Sequence, residues 1–230
     1  MDLSRLEILL GKDKVKVLEQ LKICIIGLGG VGGYAFESLV RCGIQNFILI
    51  DYDIVEPSNI NRQILSNQDN IGEYKVDEAE TRAKKINPKI QITKQKIKLK
   101  KEDVHTFDLD IDYIVDACDD IEVKKELIRF TKKNNIKMIS SMGTGNKMHP
   151  EKLEIMELSK TSYDPIAKIL RKMVKDERIK GKIMVICSKE EKRVTQYKKI
   201  PSNSFVPAVS GLLCTSYIIN DVVGDLHEKN

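Results

Sequence analysis

The feature that most constrains the fold is the glycine-rich run GLGGVG at residues 27–32. It follows KICIIG at 22–27, an apolar run rich in β-branched side chains that predicts a strand. It precedes YAFESLVRCG at 34–43, which has helical spacing, and then NFILID at 46–51, a second apolar run. Strand, turn, helix and strand form a βαβ unit that opens a parallel sheet. Runs without alternation are typical of strands buried on both faces.

The alternation of apolar runs and helical patterns continues along the chain. Helices are predicted from Val76, Ala79, Ala83 and Ile86 with Pro88 as their stop, over 121–134, from Asp164–Pro165 to about Asp176, and over 207–220. Strands are predicted at 90–99, 112–118, 137–143, 153–159 and 182–188. The run at 153–159 alternates, as an edge or antiparallel strand does. We therefore predict an α/β fold, a Rossmann-like doubly wound sheet whose first half is parallel, with a mixed or antiparallel C-terminal extension.

Length and composition set the broad class. The 230 residues are enough for one large domain with a real core, or for one domain plus an insert. We find no apolar run of spanning length and no good secretory signal, so a cytoplasmic location with no membrane partner is expected. The five cysteines are odd in number and lack a CxxC pair, which argues against a disulfide framework and a four-cysteine zinc site. The net charge of +5 is compatible with an anionic partner without requiring one.

A nucleotide site is predicted around the glycine run. Glycines let backbone N–H groups approach a phosphate, and Asp51, at the end of the second strand, is placed to accept from ribose hydroxyls. Taken alone, these features also fit an NAD-dependent dehydrogenase. Arg62 and Lys75 follow closely, however, and a site that expels pyrophosphate needs such cations because charge builds on the leaving group. The block therefore favours ATP over NAD.

These motifs in order, GLGGVG, LIDYDIVEPSNINRQI, Lys75 and DACDD, resemble the adenylating domain of the ubiquitin-activating-enzyme-like superfamily, which includes the adenylyltransferases of thiamine and molybdopterin synthesis. The resemblance implies a single adenylating domain over 1–230, with a nucleotide-binding core at 22–145 and a substrate- and dimer-associated half at 146–230. It implies that Arg62, Lys75 and Asp119 are catalytic and that Asp119 holds Mg²⁺. It assigns ATP binding to Gly27, Gly29, Gly30, Gly32, Asp51, Asp53, Asn61 and Gln63, and to Arg5 reaching across a homodimer.

The second half is similar to the tRNA threonylcarbamoyladenosine dehydratase branch of that superfamily. The matching stretches are Gly143-Thr144-Gly145, TSYDPIAKILRK at 161–172, KGKIMVICSKE at 180–190 and SFVPAVSGLL at 204–213. The resemblance implies ATP-dependent dehydration, by cyclisation, of threonylcarbamoyladenosine in tRNA through a carboxyl-adenylate. The alternative is an adenylyltransferase acting on the C-terminus of a small sulfur-carrier protein, whose usual two CxxC pairs are absent here. A monovalent-cation requirement and a sulfur-transfer partner are left open.

Two further features carry hypotheses. The predicted helix after Pro165 has a basic face and an apolar face. The basic face carries Lys168, Arg171, Lys172 and Lys175, and the apolar face carries Ile166, Ile169, Leu170 and Met173. This is either an ordinary amphipathic surface helix or a stripe that binds tRNA phosphates, assisted by Lys189, Lys192, Arg193, Lys198 and Lys199. Cys187 ends an apolar run, and we interpret it as a structural residue rather than a nucleophile.

Overall fold

The strands assemble into one sheet in the computed structural model, which describes residues 1–107, 109–191 and 200–224. Within these residues the sheet has seven strands in the order β3-β2-β1-β4-β5-β7-β6. The strands are β1 Lys22–Ile26, β2 Asn46–Ile50, β3 Gln91–Gln95, β4 Tyr113–Asp116, β5 Lys137–Ser141, β6 Leu153–Glu157 and β7 Met184–Ser188.

Seven α-helices occur in the described part of the chain. They are α1 Ser4–Leu10, α2 Lys12–Gln20, α3 Gly32–Arg41, α4 Lys75–Ile86, α5 Ile121–Asn134, α6 Pro165–Asp176 and α7 Phe205–Val223. Asp120 caps α5 by accepting from the N–H groups of its first turn, and Asp164 caps α6 by accepting from Ala167 N at 2.9 Å. The predicted bounds of α5 and α6 are confirmed.

All neighbouring strands run parallel except the pair β6–β7, which is antiparallel at the sheet's edge. In β1, Ile23 and Ile25 face one hydrophobic layer, while Cys24 and Ile26 face the other. Side chains of α3, α4 and α7 fill the first layer, and those of α5 and α6 fill the second. The predicted α/β class and the antiparallel C-terminal extension are therefore confirmed.

Most predicted strands are shorter in the structure by one to three residues, and two boundaries have a clear cause. The strand predicted at 90–99 ends at Gln95, because the chain then leaves the sheet. The last helix begins at Phe205, two residues before Pro207, since a proline is tolerated within a helix's first turn.

Helix α7 is longer than predicted, spanning Phe205–Val223 rather than 207–220. Among the described helices it is the one that meets the length and composition of a membrane span. Its Val206, Cys214 and Ile218 are buried in the core, and Gly211 lies so close to α3 that an added Cβ would sit 2.3 Å from the Val31 carbonyl oxygen. This is the packing of a core helix, so its composition is weak evidence for a membrane span.

Candidate active site

A cavity of about 620 Å³ opens where the carboxyl ends of β1, β2 and β4 meet. Ligand sites in open parallel sheets lie at this edge, beside the point where the strand order reverses. Here the reversal falls at β1, which has β2 on one side and β4 on the other. The topology therefore gathers residues from distant parts of the chain around one space.

The glycine turn forms one wall. Gly27 has φ +85°, and a Cβ there would lie 2.8 Å from the Ala117 carbonyl oxygen. A Cβ on Gly32 would lie 1.8 Å from the Gly27 carbonyl oxygen, so neither position accepts a side chain. Gly29 and Gly30 line the cavity, and α3 begins just beyond them without a side-chain cap. Of the four predicted glycines, two shape the turn and two face the space that a phosphate would enter.

Asp51 braces this turn. Its Oδ2 accepts from Leu28 N at 2.6 Å and its Oδ1 accepts from Asp53 N at 2.8 Å. Burial raises the pKa of the Asp51 carboxyl, while those two backbone hydrogen bonds oppose the shift. The carboxylate thus lies beside the glycine turn on the cavity lining, where a ribose hydroxyl can donate to it.

The predicted cations lie on the same lining. Lys75 is the first residue of α4, is 3% exposed and pairs with Asp53, its Nζ 2.7 Å from Oδ2. Arg62 donates from Nη1 to the Ser58 carbonyl oxygen at 2.8 Å and to Asn61 Oδ1 at 2.9 Å, which fixes its guanidinium. A buried ammonium held against a half-exposed carboxylate is a charge positioned before any ligand arrives.

Gln63 and Asn61, also predicted, differ in position. Gln63 is buried on the lining, and its Oε1 has no hydrogen-bond partner among the described residues. The Oε1 atom itself is fully buried, so a ligand in the cavity reaches it only if the Gln63 side chain moves. Asn61 is exposed, does not line the cavity, and contacts it indirectly through Arg62.

Asp119 lines the same cavity from the loop after β4. Among the described residues no three metal-ligating side chains cluster. Mg²⁺ is commonly held by one or two carboxylates together with substrate phosphates, and the exposed carboxylate of Asp119, with the exposed Asp120 next to it on the lining, fits that mode.

A buried ion pair beneath this loop is not predicted by the sequence pattern. Lys124 of α5 and Asp116 of β4 are each 1% exposed in their side chains, with Nζ 2.9 Å from Oδ2. Lys124 also donates to the Ser141 carbonyl oxygen at 2.9 Å, and Asp116 Oδ1 accepts from the Cys118 thiol at 3.1 Å. These contacts anchor the backbone just before Asp119. A regularly spaced helix lysine gives no signal of such burial.

Other cavity residues also escape prediction. They include Tyr52 and Asn59, which lie in the LIDYDIVEPSNINRQI stretch, and Lys98 and Thr144, which come from two other segments. Lys98 lies over the Tyr52 ring, with Nζ 5.5 Å from its centroid, and adds a third cation to the lining. These segments come together only in the folded structure, so the spacing of residues within one segment does not predict that they line the cavity.

Arg5 lies on α1, is exposed and is not among the residues that line the cavity of its own chain. Helix α1 buries none of its residues, and its Ile8 is 86% exposed.

The predicted basic stripe is divided by the structure. Lys168, Lys172 and Lys175 are exposed, whereas Arg171 is partly buried and donates from Nη1 to the Thr161 carbonyl oxygen at 2.8 Å. Ile169, expected on the apolar face, is 40% exposed. All four cations line a groove of about 810 Å³ that also includes Arg178, Lys180 and Lys182. Of the loop cations named above, Lys189 is described, and Lys192, Arg193, Lys198 and Lys199 lie outside the described residues.

Comparison with known proteins places this geometry in a family. The ThiF family model matches residues 3–214. The chain belongs to the ThiF family. It is 35% identical to the tRNA threonylcarbamoyladenosine dehydratase of Bacillus subtilis, over 98% of this chain and 96% of that protein. It is 33% identical to the Escherichia coli enzyme of the same name, over 78% of this chain and 69% of that protein.

A solved structure in this ThiF-family group has the same fold. The E. coli tRNA N6-threonylcarbamoyladenosine dehydratase in complex with ATP superposes with a TM-score of 0.89 at 27% identity, covering 99% of this chain and 96% of that one. The resemblance inferred from the motifs is thus confirmed along nearly the whole chain.

Proposed function

We propose that this protein is an ATP-dependent tRNA threonylcarbamoyladenosine dehydratase. One observation carries the proposal: the cavity joins the glycine turn, two fixed cations and the carboxylate of Asp119, in a chain similar over its full length to enzymes of that name. The alternative, activation of a sulfur-carrier protein, lacks such full-length support and the zinc pairs usual for it.

In the proposed reaction the substrate carboxylate attacks the α-phosphorus of ATP. A carboxylate oxygen–phosphorus bond forms and the bond to pyrophosphate breaks, giving an acyl-adenylate. The neighbouring ureido group of the same nucleoside then attacks the acyl carbon, and AMP leaves. The net change in the nucleoside is loss of water. Because ring closure is intramolecular, orientation supplies much of the acceleration.

The residues present fit defined roles in the first step. Lys75 and Arg62 stabilise the charge that develops on the departing pyrophosphate, and Asp51 accepts from the ribose. Asp53 holds Lys75, and Gln63 lines the cavity beside Gly29. The apolar part of the cavity lining, formed by Ile50, Leu99 and Val123 of one hydrophobic cluster, suits the adenine ring. Asp119 would hold Mg²⁺ with the phosphates, and that ion would offset their negative charge.

The proposal also includes a homodimer and separate binding roles for the two halves of the chain. Residues 22–145 would bind the nucleotide, and 146–230 would bind tRNA and contribute to assembly. The exposed Ile8 and Leu9 of α1 offer apolar area to a second copy, which would bring Arg5 towards the partner's cavity. We propose a cytoplasmic location, where tRNA is available. Assays in sodium or potassium salts test whether a monovalent cation is required. Affinity capture tests whether a sulfur-transfer protein associates with the chain.

The test of the function is mass spectrometry of nucleosides from tRNA that carries threonylcarbamoyladenosine. Incubation with protein and ATP should yield a nucleoside lighter by one water, together with AMP and pyrophosphate. The same incubation with NAD in place of ATP should yield none. ATP–pyrophosphate exchange stimulated by a sulfur-carrier protein, and not by tRNA, would select the alternative function instead.

A further inference from the structure

A second cleft, of about 430 Å³, lies beyond the end of β7 and is lined in part by Tyr163, His149, Lys152 and Lys189. Strands β4, β5 and β7 are parallel, so the end of β7 lies on the same edge of the sheet as the nucleotide cavity. With about 4.8 Å between strands, β7 lies two strand spacings from β4, or roughly 10 Å. The cleft is thus a neighbour of the proposed reaction site.

Tyr163 is unusual within this cleft. Its backbone has φ 58°, in the left-handed region that side-chain-bearing residues rarely adopt, and the residue is 57% exposed. A bulky residue in this conformation is strained, and such strain persists only where the surroundings impose it. An exposed ring recovers little burial energy in return, so packing does not explain why an aromatic stands here.

The surrounding contacts hold the Tyr163 backbone in place. On its N-terminal side, Arg171 donates to the Thr161 carbonyl oxygen, and Thr161 Oγ1 donates to the Leu158 carbonyl oxygen at 2.7 Å. On its C-terminal side, Asp164 caps α6 and accepts from Gly143 N at 3.1 Å. Gly143 precedes Thr144, which lines the nucleotide cavity. The turn that carries Tyr163 is therefore fastened to the wall of the proposed active site.

We propose that Tyr163 is a stacking platform for an unpaired RNA base adjacent to the nucleoside that is modified. This inference rests on the proposed function. Sequence-tolerant stacking on aromatic rings is how proteins hold single-stranded loop nucleotides. The flanking cations fit the accompanying backbone: Lys152 is exposed, and Lys189 lies beside it, paired with Glu154 at 2.8 Å. The acidic neighbours of the cleft, Glu151, Glu190 and Glu191, outnumber the two lysines, so the ring and not net charge is the main attraction for RNA.

The experiment measures dehydration of an anticodon stem–loop RNA and of the free threonylcarbamoyladenosine nucleoside by wild type, Tyr163→Phe and Tyr163→Gly. Loss of the ring in Tyr163→Gly should raise KM for the stem–loop roughly 10-fold, since a stacked base contributes affinity of that order. Tyr163→Phe should match wild type, because stacking does not need the hydroxyl. Activity on the free nucleoside and ATP binding should be unchanged in both variants.

The Tm separates this role from a structural one. Glycine relieves the strain at φ 58°, so Tyr163→Gly should be as stable as wild type or more stable while losing RNA affinity. Asn135→Gly is the matched control, since Asn135 has φ 54° at the C-terminus of α5 and lies outside the cleft; its stem–loop KM should not change. If the wild-type protein dehydrates the stem–loop and Tyr163→Gly has the same KM for it, the stacking role of Tyr163 is wrong and the proposed function still stands. A wild type without dehydratase activity would overturn the proposed function.

Discussion

Lys75 shows what one buried charge does at the residue scale. Its ammonium is removed from water and held by a single carboxylate, Asp53, which is itself 43% exposed in its side chain. Burial of a cation is costly unless it is paired, and this pair is only partly desolvated. A nucleotide's phosphates would complete its surroundings. The residue is thus poised for a negatively charged ligand.

Replacing Lys75 by alanine should lower the rate of dehydration by roughly 100-fold or more, as losses of charge stabilisation in a transition state do. Asp119→Ala should have an effect of similar size. Single-turnover kinetics with saturating ATP measures the effect. Lys84→Ala is the matched control on the same helix, since Lys84 is exposed and pairs with Glu80. If Lys75→Ala retained wild-type turnover, the role of α4 in the chemistry would have to be abandoned.

The two cysteines nearest to candidate sites are poor nucleophiles. Burial raises the pKa of Cys187 to about 11, and Asp164 adds to that shift. Burial, with Asp116 nearby, also raises the pKa of Cys118, which lines the nucleotide cavity. A thiol, not a thiolate, is therefore present at neutral pH in both positions. Their burial supports a mechanism without a covalent enzyme intermediate.

Serine at Cys118 or alanine at Cys187 should consequently leave turnover within a few-fold of wild type. A plot of activity against pH should show no increase between about pH 6 and 9 that could be assigned to ionisation of a thiol. Steady-state assays with intact-mass spectrometry of the quenched protein provide the check. A trapped thioester on either cysteine would show that the non-covalent mechanism is wrong.

At the scale of elements, α3 and α4 are joined by one carboxylate. Glu37 of α3 is buried and accepts from Arg41, with Nη2 2.8 Å from Oε1, and from Arg82 of α4. Burial alone would raise the pKa of Glu37, but its two arginine partners outweigh that effect and lower it. Because α3 follows the glycine turn and α4 begins with Lys75, this clamp fixes two walls of the cavity relative to each other.

The lowered pKa of Glu37 has a defined consequence for stability. The folded state favours the carboxylate, so the stabilisation is fully present above the unfolded pKa of about 4.3 and is lost as the pH falls through the folded value. Glu37→Gln should lower the free energy of unfolding at pH 7 by about 1 kcal/mol, discounted because both arginines are partly exposed. Urea unfolding at pH 7 and pH 3 should show this difference shrinking at the lower pH. Glu122→Gln, which loses an exposed pair with Lys125, should differ little from wild type at either pH.

The elements differ in how much of them the sequence reveals. Helix α5 was predictable to the residue because Asp120 caps it and its apolar positions are regular. The strand β3 was overextended because Ile97 and Leu99 continue its alternation, although both in fact line the nucleotide cavity. The glycine turn and Asp51 can be predicted as site residues from their spacing in the sequence. Lys98 and the buried Lys124–Asp116 pair cannot, because they acquire their environment only when distant segments meet.

The exposed cations of α6 carry a further prediction. Lys172→Glu with Lys175→Glu should weaken tRNA binding and reduce the slope of log K against log salt by roughly one for each phosphate that is no longer bound. Arg171 is left intact because it holds the turn at Thr161. ATP affinity should not change, since the groove and the nucleotide cavity share no lining residue among those described. Filter binding at several salt concentrations tests this, with Lys12→Glu and Lys14→Glu on α2 as the exposed control pair. If the double variant and the wild type have the same tRNA affinity and the same salt slope, these lysines of α6 do not contact tRNA phosphates.

At the scale of the whole molecule, α1 is the helix on which the proposed homodimer depends. Leu6 and Leu10 of this helix pack against the core of their own chain, whereas Ile8 and Leu9 on its outer side are exposed. A second copy would cover that apolar surface. In a symmetric dimer the same interaction occurs twice, so each Arg5 could approach the other subunit's cavity.

Mixing two inactive variants distinguishes such a shared site from a site complete within one chain. Arg5→Ala and Lys75→Ala should each be impaired alone. In a mixed dimer, one cavity has its own Lys75 and receives the partner's intact Arg5, while the other cavity lacks both. Random mixing gives mixed dimers in half of the population, each with one working site, so activity should recover to about a quarter of wild type. Light scattering at the assay concentration establishes that dimers are present. If mixing restores nothing while Arg5→Ala alone is impaired, Arg5 acts within its own chain; a fully active monomer would contradict the shared site altogether.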